Sequence, residues 1–147
     1  MGTLVRHGGF TRVSLLLDQC GGPLEDLESC RRDVGILLHV NGMQIEGWVG
    51  SKTTGLPAGY QIHWLLLESF VVVETWPEIK RVKAIVDLCD FTRPNYGRAI
   101  AISDGILRLF GSASGTVIRK NIETDPGVLI DQDELQERLA RYAQLPV

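Results

Sequence analysis

An α+β fold, with two helices on one face of a mostly antiparallel sheet, is what this sequence predicts. Three observations carry that expectation. Segments with strand character come in a run between two segments with helical periodicity. Their order, β-α-β-β-β-β-α-β with an appended helix, is the pattern of a two-layer α/β sandwich. The chain has 147 residues, enough for one domain that buries a core without disulfides or a metal.

Residues 12–19 (RVSLLLDQ) read as a first buried strand, stopped by Gly21-Gly22. Pro23 suits the first turn of a helix, where its missing N–H costs nothing. Leu24, Leu27, Cys30, Val34 and Leu37 or Leu38 then recur at helical spacing. Glu25, Asp26 and Glu28 fall near the positive end of that helix and His39 near its negative end, and Asn41-Gly42 stops it. Three strands are expected over 43–49, 60–68 and 70–75. The last two form one apolar stretch interrupted only by Glu68-Ser69, a pair that by itself reads as a hairpin turn or bulge. A strand over 82–88 precedes a helix over Asn95–Phe110, whose stripe is Ala99, Ile102, Ile106, Leu109 and Phe110. Gly105 weakens that helix and Gly111 ends it. Residues 116–122 give the last core strand. Asp131 with Glu134 resembles a capping box for a helix carrying Leu135, Leu139 and Tyr142. The expected division is therefore a core domain over 1–122 and a C-terminal helical extension over 123–147. Both strands near Ser69 are apolar at nearly every position, so the sheet has a second face to cover. A dimer packed sheet against sheet is expected, the alternative cover being the C-terminal helix of the same chain.

Composition excludes several functions. The net charge is −3 and no basic run exceeds Arg31-Arg32 or Lys80-Arg81, which argues against nucleic acid as a partner. The cysteines, Cys20, Cys30 and Cys89, are odd in number and lack paired spacings, so neither a disulfide framework nor a zinc site is expected. A reduced, cytoplasmic setting follows, with no secretory leader pattern at the start. The apolar runs 64–67 and 70–73 are too short to span a bilayer. No phosphate-binding glycine motif and no calcium-loop spacing occurs.

The informative segment is Glu68-Ser69-Phe70-Val71-Val72-Val73-Glu74-Thr75-Trp76-Pro77-Glu78. It resembles the processing-site motif of the pyruvoyl-dependent S-adenosylmethionine decarboxylases of prokaryotes, approximately E-S-H-x-x-x-H-T-W-P-E. Gly55-Leu56-Pro57-Ala58-Gly59 lies upstream where that family has an L-P-x-G turn. Residues 84–88 resemble its A-x-V-D-L strand, and Asp18-Gln19-Cys20 ends the first strand as the family often does. In order of elements the resemblance covers residues 10–122; it is specific over 68–78.

That resemblance implies a mechanism. The Ser69 hydroxyl attacks the carbonyl of Glu68, the chain is cleaved between Glu68 and Ser69, and residue 69 becomes a pyruvoyl group. This ketone condenses with the amino group of a substrate and takes up electrons as carbon dioxide leaves. The implied activity is decarboxylation of S-adenosylmethionine, or of another amino acid, in polyamine (spermidine) biosynthesis. Glu78 matches the acid associated with the ribose hydroxyls of the substrate, and Trp76 or Trp48 is a candidate to stack on adenine, the bland reading being core packing. The chain departs from the family at its processing helpers. Phe70 replaces a histidine after the serine, Glu74 replaces the histidine that promotes elimination, and Gln61 stands where a serine is found. The proton-donating cysteine falls at Cys89 by counting from Ser69, and at Phe91 by matching Asp87 to the V-D strand motif. Glu74 is a candidate base and Gln61 a candidate to orient the ester. His63 reads as a core histidine that could also approach Ser69 across the sheet. The partners implied are the small-molecule substrate and a second copy of the chain, or an active paralogue in a heterodimer. The alternative from another class is an uncleaved, non-catalytic relative that binds a nucleoside or regulates a partner.

Overall fold

The computed structural model describes residues 2–89, 94–111 and 116–144. A six-stranded sheet of order β3-β4-β5-β6-β2-β7 is antiparallel throughout. Its strands are β2 (Phe10–Asp18), β3 (Ile45–Lys52), β4 (Tyr60–Leu66), β5 (Ser69–Trp76), β6 (Arg81–Leu88) and β7 (Thr116–Asp125). Helices α1 (Leu27–Val40) and α2 (Asn95–Phe110) lie side by side on one face, α1 over β3 and β4 and α2 over β2 and β6. The expected two-layer α+β sandwich is what forms.

Period-two alternation builds the layer between sheet and helices. Thr11, Val13, Leu15 and Leu17 of β2, Tyr60, Ile62, Trp64 and Leu66 of β4, and Val82, Ala84, Val86 and Leu88 of β6 are all buried. They meet Cys30, Val34 and Leu38 of α1 and Ala99, Ile102, Ile106 and Phe110 of α2. Gly105 is explained by this packing: a Cβ there would lie 2.5 Å from Leu37 Cδ1, so the glycine lets the two helices close on one another.

Several boundaries differ from expectation for physical reasons. Helix α1 starts at Leu27, not Pro23, with Asp26 as the N-cap accepting from Ser29 N at 3.0 Å. Residues 23 and 24 stay outside because their carbonyls serve other donors: Pro23 O accepts from Tyr60 OH at 2.5 Å, and Leu24 O from Thr75 Oγ1 at 2.7 Å. The segment after residue 122 is not helix alone. Strand β7 runs on to Asp125, β8 (Val128–Asp131) pairs with β1 (Leu4–His7), and only then does α3 (Gln132–Ala143) begin. Asp131 caps α3, accepting from the N–H groups of Asp133 and Glu134.

Among the described residues, the other face of the six-stranded sheet carries no helix of its own. One row across it reads Val49, His63, Val72, Ile85, Ser14 and Asn121. Val49 is 64% exposed and Leu65, on the same face, 51%. Helix α3 packs on β8 and buries none of its own residues, so it does not supply the cover. No helix among the described residues is long and apolar enough to cross a membrane.

Gly59 tests the packing where β4 begins. A Cβ there would sit 2.3 Å from Thr75 O and 2.9 Å from Pro77 Cδ. Because the first collision is with backbone, Gly59→Ala is expected to destabilise the protein by about 1–3 kcal/mol, read as a lower urea midpoint.

Candidate functional site

The hairpin joining β4 to β5 places Ser69. Leu66 pairs with Ser69, leaving Leu67 and Glu68 as the connection. Glu68 takes φ +64, the left-handed region that non-glycine side chains enter at a cost of about 1–2 kcal/mol. The Glu68–Ser69 peptide bond therefore joins a strained residue to the first residue of a strand. Ser69 is 8% exposed and shares the helix-covered face with Val71, Val73 and Thr75. Its Oγ accepts a hydrogen bond from Cys89 N at 2.9 Å. Such a bond leaves the hydroxyl proton free to be given up and orients the oxygen.

Cys89 follows directly on β6, next to Ser69 because β5 and β6 pair through Phe70 and Asp87. Its Sγ donates to Asp87 Oδ1 at 3.1 Å. The other carboxylate oxygen of Asp87 takes Arg12 Nε at 2.6 Å. Arg12 also lies over the Phe70 ring, 6.0 Å from its centroid. Burial, then the hydrogen bond and charge of Asp87, push the Cys89 thiol up to about 11. The cysteine reached by counting thus meets Ser69 through its backbone N–H, while its thiol turns to Asp87; position 91 lies outside the described residues.

The other expected residues form separate groups. Gln61 and Glu74 pair across β4 and β5, with Gln61 Nε2 donating to Glu74 Oε1 at 3.1 Å, and Lys83 Nζ is 3.8 Å from Glu74 Oε2. Five residues separate Ser69 from Glu74, about 16 Å of strand, and the odd spacing puts them on opposite faces. Trp76 ends β5, and exposed Glu78 sits in the 3-10 turn Pro77–Ile79 beyond it, so Ser69 and Glu78 occupy opposite ends of one strand. Trp48 stacks under Arg31, whose Cζ is 4.9 Å from its ring, and His63 lies on the open face between Val49 and Val72. Arg12 and Asp87 are site residues that the sequence did not reveal as a pair. The one available signal was a carboxylate inside an otherwise apolar strand, since its partner lies 75 positions away.

Glu68 gives a direct test of strain at this turn. In a Ser69→Ala background, Glu68→Gly should raise the urea midpoint by the equivalent of up to about 1 kcal/mol; an unchanged or lower midpoint would show the turn to be relaxed.

Comparison with known proteins adds the fold. No family model matches the chain, and no curated protein matches it in sequence. Among solved structures, the adenosylmethionine decarboxylase from Aquifex aeolicus VF5 matches over 87% of this chain and 97% of that chain, at a TM-score of 0.64 and 14% sequence identity. The chain shares the fold of that decarboxylase.

Proposed function

We propose that this protein is a pyruvoyl-dependent decarboxylase of the S-adenosylmethionine decarboxylase type that processes itself between Glu68 and Ser69. The observation that carries the reading is the placement of Ser69: first in its strand, after a residue at φ +64, with its hydroxyl oxygen held by Cys89 N. The shared fold supports it.

The chemistry asks little of distant groups. Ser69 Oγ bonds to the carbonyl carbon of Glu68 as the amide C–N bond breaks, which turns the amide into an ester and relieves the strained turn. Loss of the Cα proton of residue 69 expels the Glu68 carboxylate as a new C-terminus. Water then replaces the nitrogen, released as ammonia, and leaves the ketone. When formed, that group supplies an electron sink for decarboxylation of an α-amino acid. Cys89, its thiol hydrogen held by Asp87, carries the proton for return to the product carbon, and Glu78 and Trp76 offer a carboxylate and a ring to a nucleoside.

Glu74 enters this reading as the helper for elimination, with Gln61 fixing its carboxylate. Within one chain it lies on the other face from Ser69, about 16 Å along the strand, so the role assigned to it belongs to a partner protomer whose Glu74 reaches the exposed hairpin at Glu68. A homodimer packed through Val49 and Leu65 is the assembly proposed. The same Gln61–Glu74–Lys83 contacts favour a second reading, in which the chain stays whole and binds a nucleoside without catalysis.

Denaturing electrophoresis of the purified protein tests the choice. Two fragments divided at Glu68-Ser69 are expected, and Ser69→Ala should give one chain. Glu74→Gln should slow cleavage by about 100-fold or more, and mixing it with Ser69→Ala chains during folding should restore part of the rate. A wild-type chain that persists whole would overturn self-processing and favour the binding reading.

A further inference from the structure

Cys89 commits its two polar groups to different partners. Its N–H holds Ser69 Oγ at 2.9 Å, while its thiol donates to Asp87 Oδ1 at 3.1 Å. Asp87 in turn is clamped by Arg12 Nε at 2.6 Å. The resulting chain, Arg12 to Asp87 to Cys89 to Ser69, runs across β2, β6 and β5. Its centre is dry: the Asp87 side chain is 5% exposed, whereas the Arg12 side chain is 42% exposed and reaches solvent over Phe70. A buried carboxylate needs a fixed positive partner, and Arg12 provides it.

We propose that Asp87, held in place by Arg12, is a positioning residue that fixes the Cys89 thiol as a neutral donor at the end of β6. The proposal gives the proton donor of the preceding section its orientation and protonation state and in that sense rests on that reading. A donor must carry its proton at neutral pH, and a thiolate has none to give. Asp87 supplies both conditions: it accepts the thiol hydrogen, and its charge opposes a second negative charge on sulfur. Glu68, in the adjacent turn, acts in the same direction, whereas the Arg12 charge acts in the opposite one. These are the charged groups that face Cys89 among the described residues.

The experiment is the rate of alkylation of Cys89 by iodoacetamide as a function of pH, followed peptide by peptide by mass spectrometry. Cys20 and Cys30 are buried at 3% and 0% exposure and serve as internal reporters of unfolding. Asp87→Asn is expected to alkylate Cys89 about tenfold faster at mildly alkaline pH, the equivalent of one pKa unit. Arg12→Lys, which keeps a positive partner for the Asp87 carboxylate, is expected to leave the rate within about twofold of wild type. A merely structural pair predicts acceleration in this variant as well, since losing the guanidinium geometry loosens the site. Acceleration in both, or no change in Asp87→Asn, overturns the proposal. Should the variants also expose Cys20 and Cys30, Asp87→Glu in the same assay decides: a rate near wild type supports the proposal, and acceleration like that of Asp87→Asn overturns it. The assay runs on cleaved or uncleaved protein. An uncleaved chain with these two responses removes self-processing alone, and a cleaved chain without them removes the positioning role alone.

Discussion

Strand β5 is hydrogen-bonded on both sides, to β4 through Leu66 and Ser69 and to β6 through Phe70 and Asp87, and its register determines the chemistry within reach of the serine. On the β4 side the register leaves only two residues to turn the chain, forcing Glu68 to positive φ. On the β6 side it brings the end of that strand level with the hairpin, so that Cys89 N meets Ser69 Oγ. A slip of one residue would exchange the two faces, sending Ser69 to the open side and Val72 to the core. Buried Val71, Val73 and Thr75 make that slip costly. The same apolar side chains that hold the sheet against α1 and α2 therefore hold the serine in place.

Alternation also separates what the motif writes as one line of residues. Glu68, Ser69 and Cys89 gather at one end of β5, Gln61 and Glu74 meet with Lys83 on the open face, and Trp76 and Glu78 close the other end. A single chain thus holds these side chains in three separate groups. The face that carries Gln61, Glu74 and Lys83 also leaves Val49 and Leu65 exposed, an apolar surface that α1 and α2 do not cover.

Much of the fold was legible because it follows from periodicity. The alternation in β2, β4 and β6 and the stripes of α1 and α2 could be read directly, and they place the core. Other features depend on partners far along the chain. The β1–β8 ribbon pairs Leu4 with Asp131, and nothing local in the short, glycine-flanked segment before Phe10 announces that contact. The start of α1 was misread at Pro23 because the true reason for delay, carbonyls taken by Tyr60 and Thr75, is tertiary. In the site, Ser69 and its turn stood out as a polar break in an apolar run. The link from Cys89 through Asp87 to Arg12 did not, since strand order decides it: β6 lies between β5 and β2, which no local pattern encodes.

The central claim is that residue 69 is converted into a ketone. The most direct measurement is the exact mass and hydrazide reactivity of the fragment beginning at position 69. The account predicts an N-terminal pyruvoyl group: no free α-amino group, and one hydrazone formed per chain. A fragment that begins with an intact serine, or a full-length chain that forms no hydrazone, would contradict it.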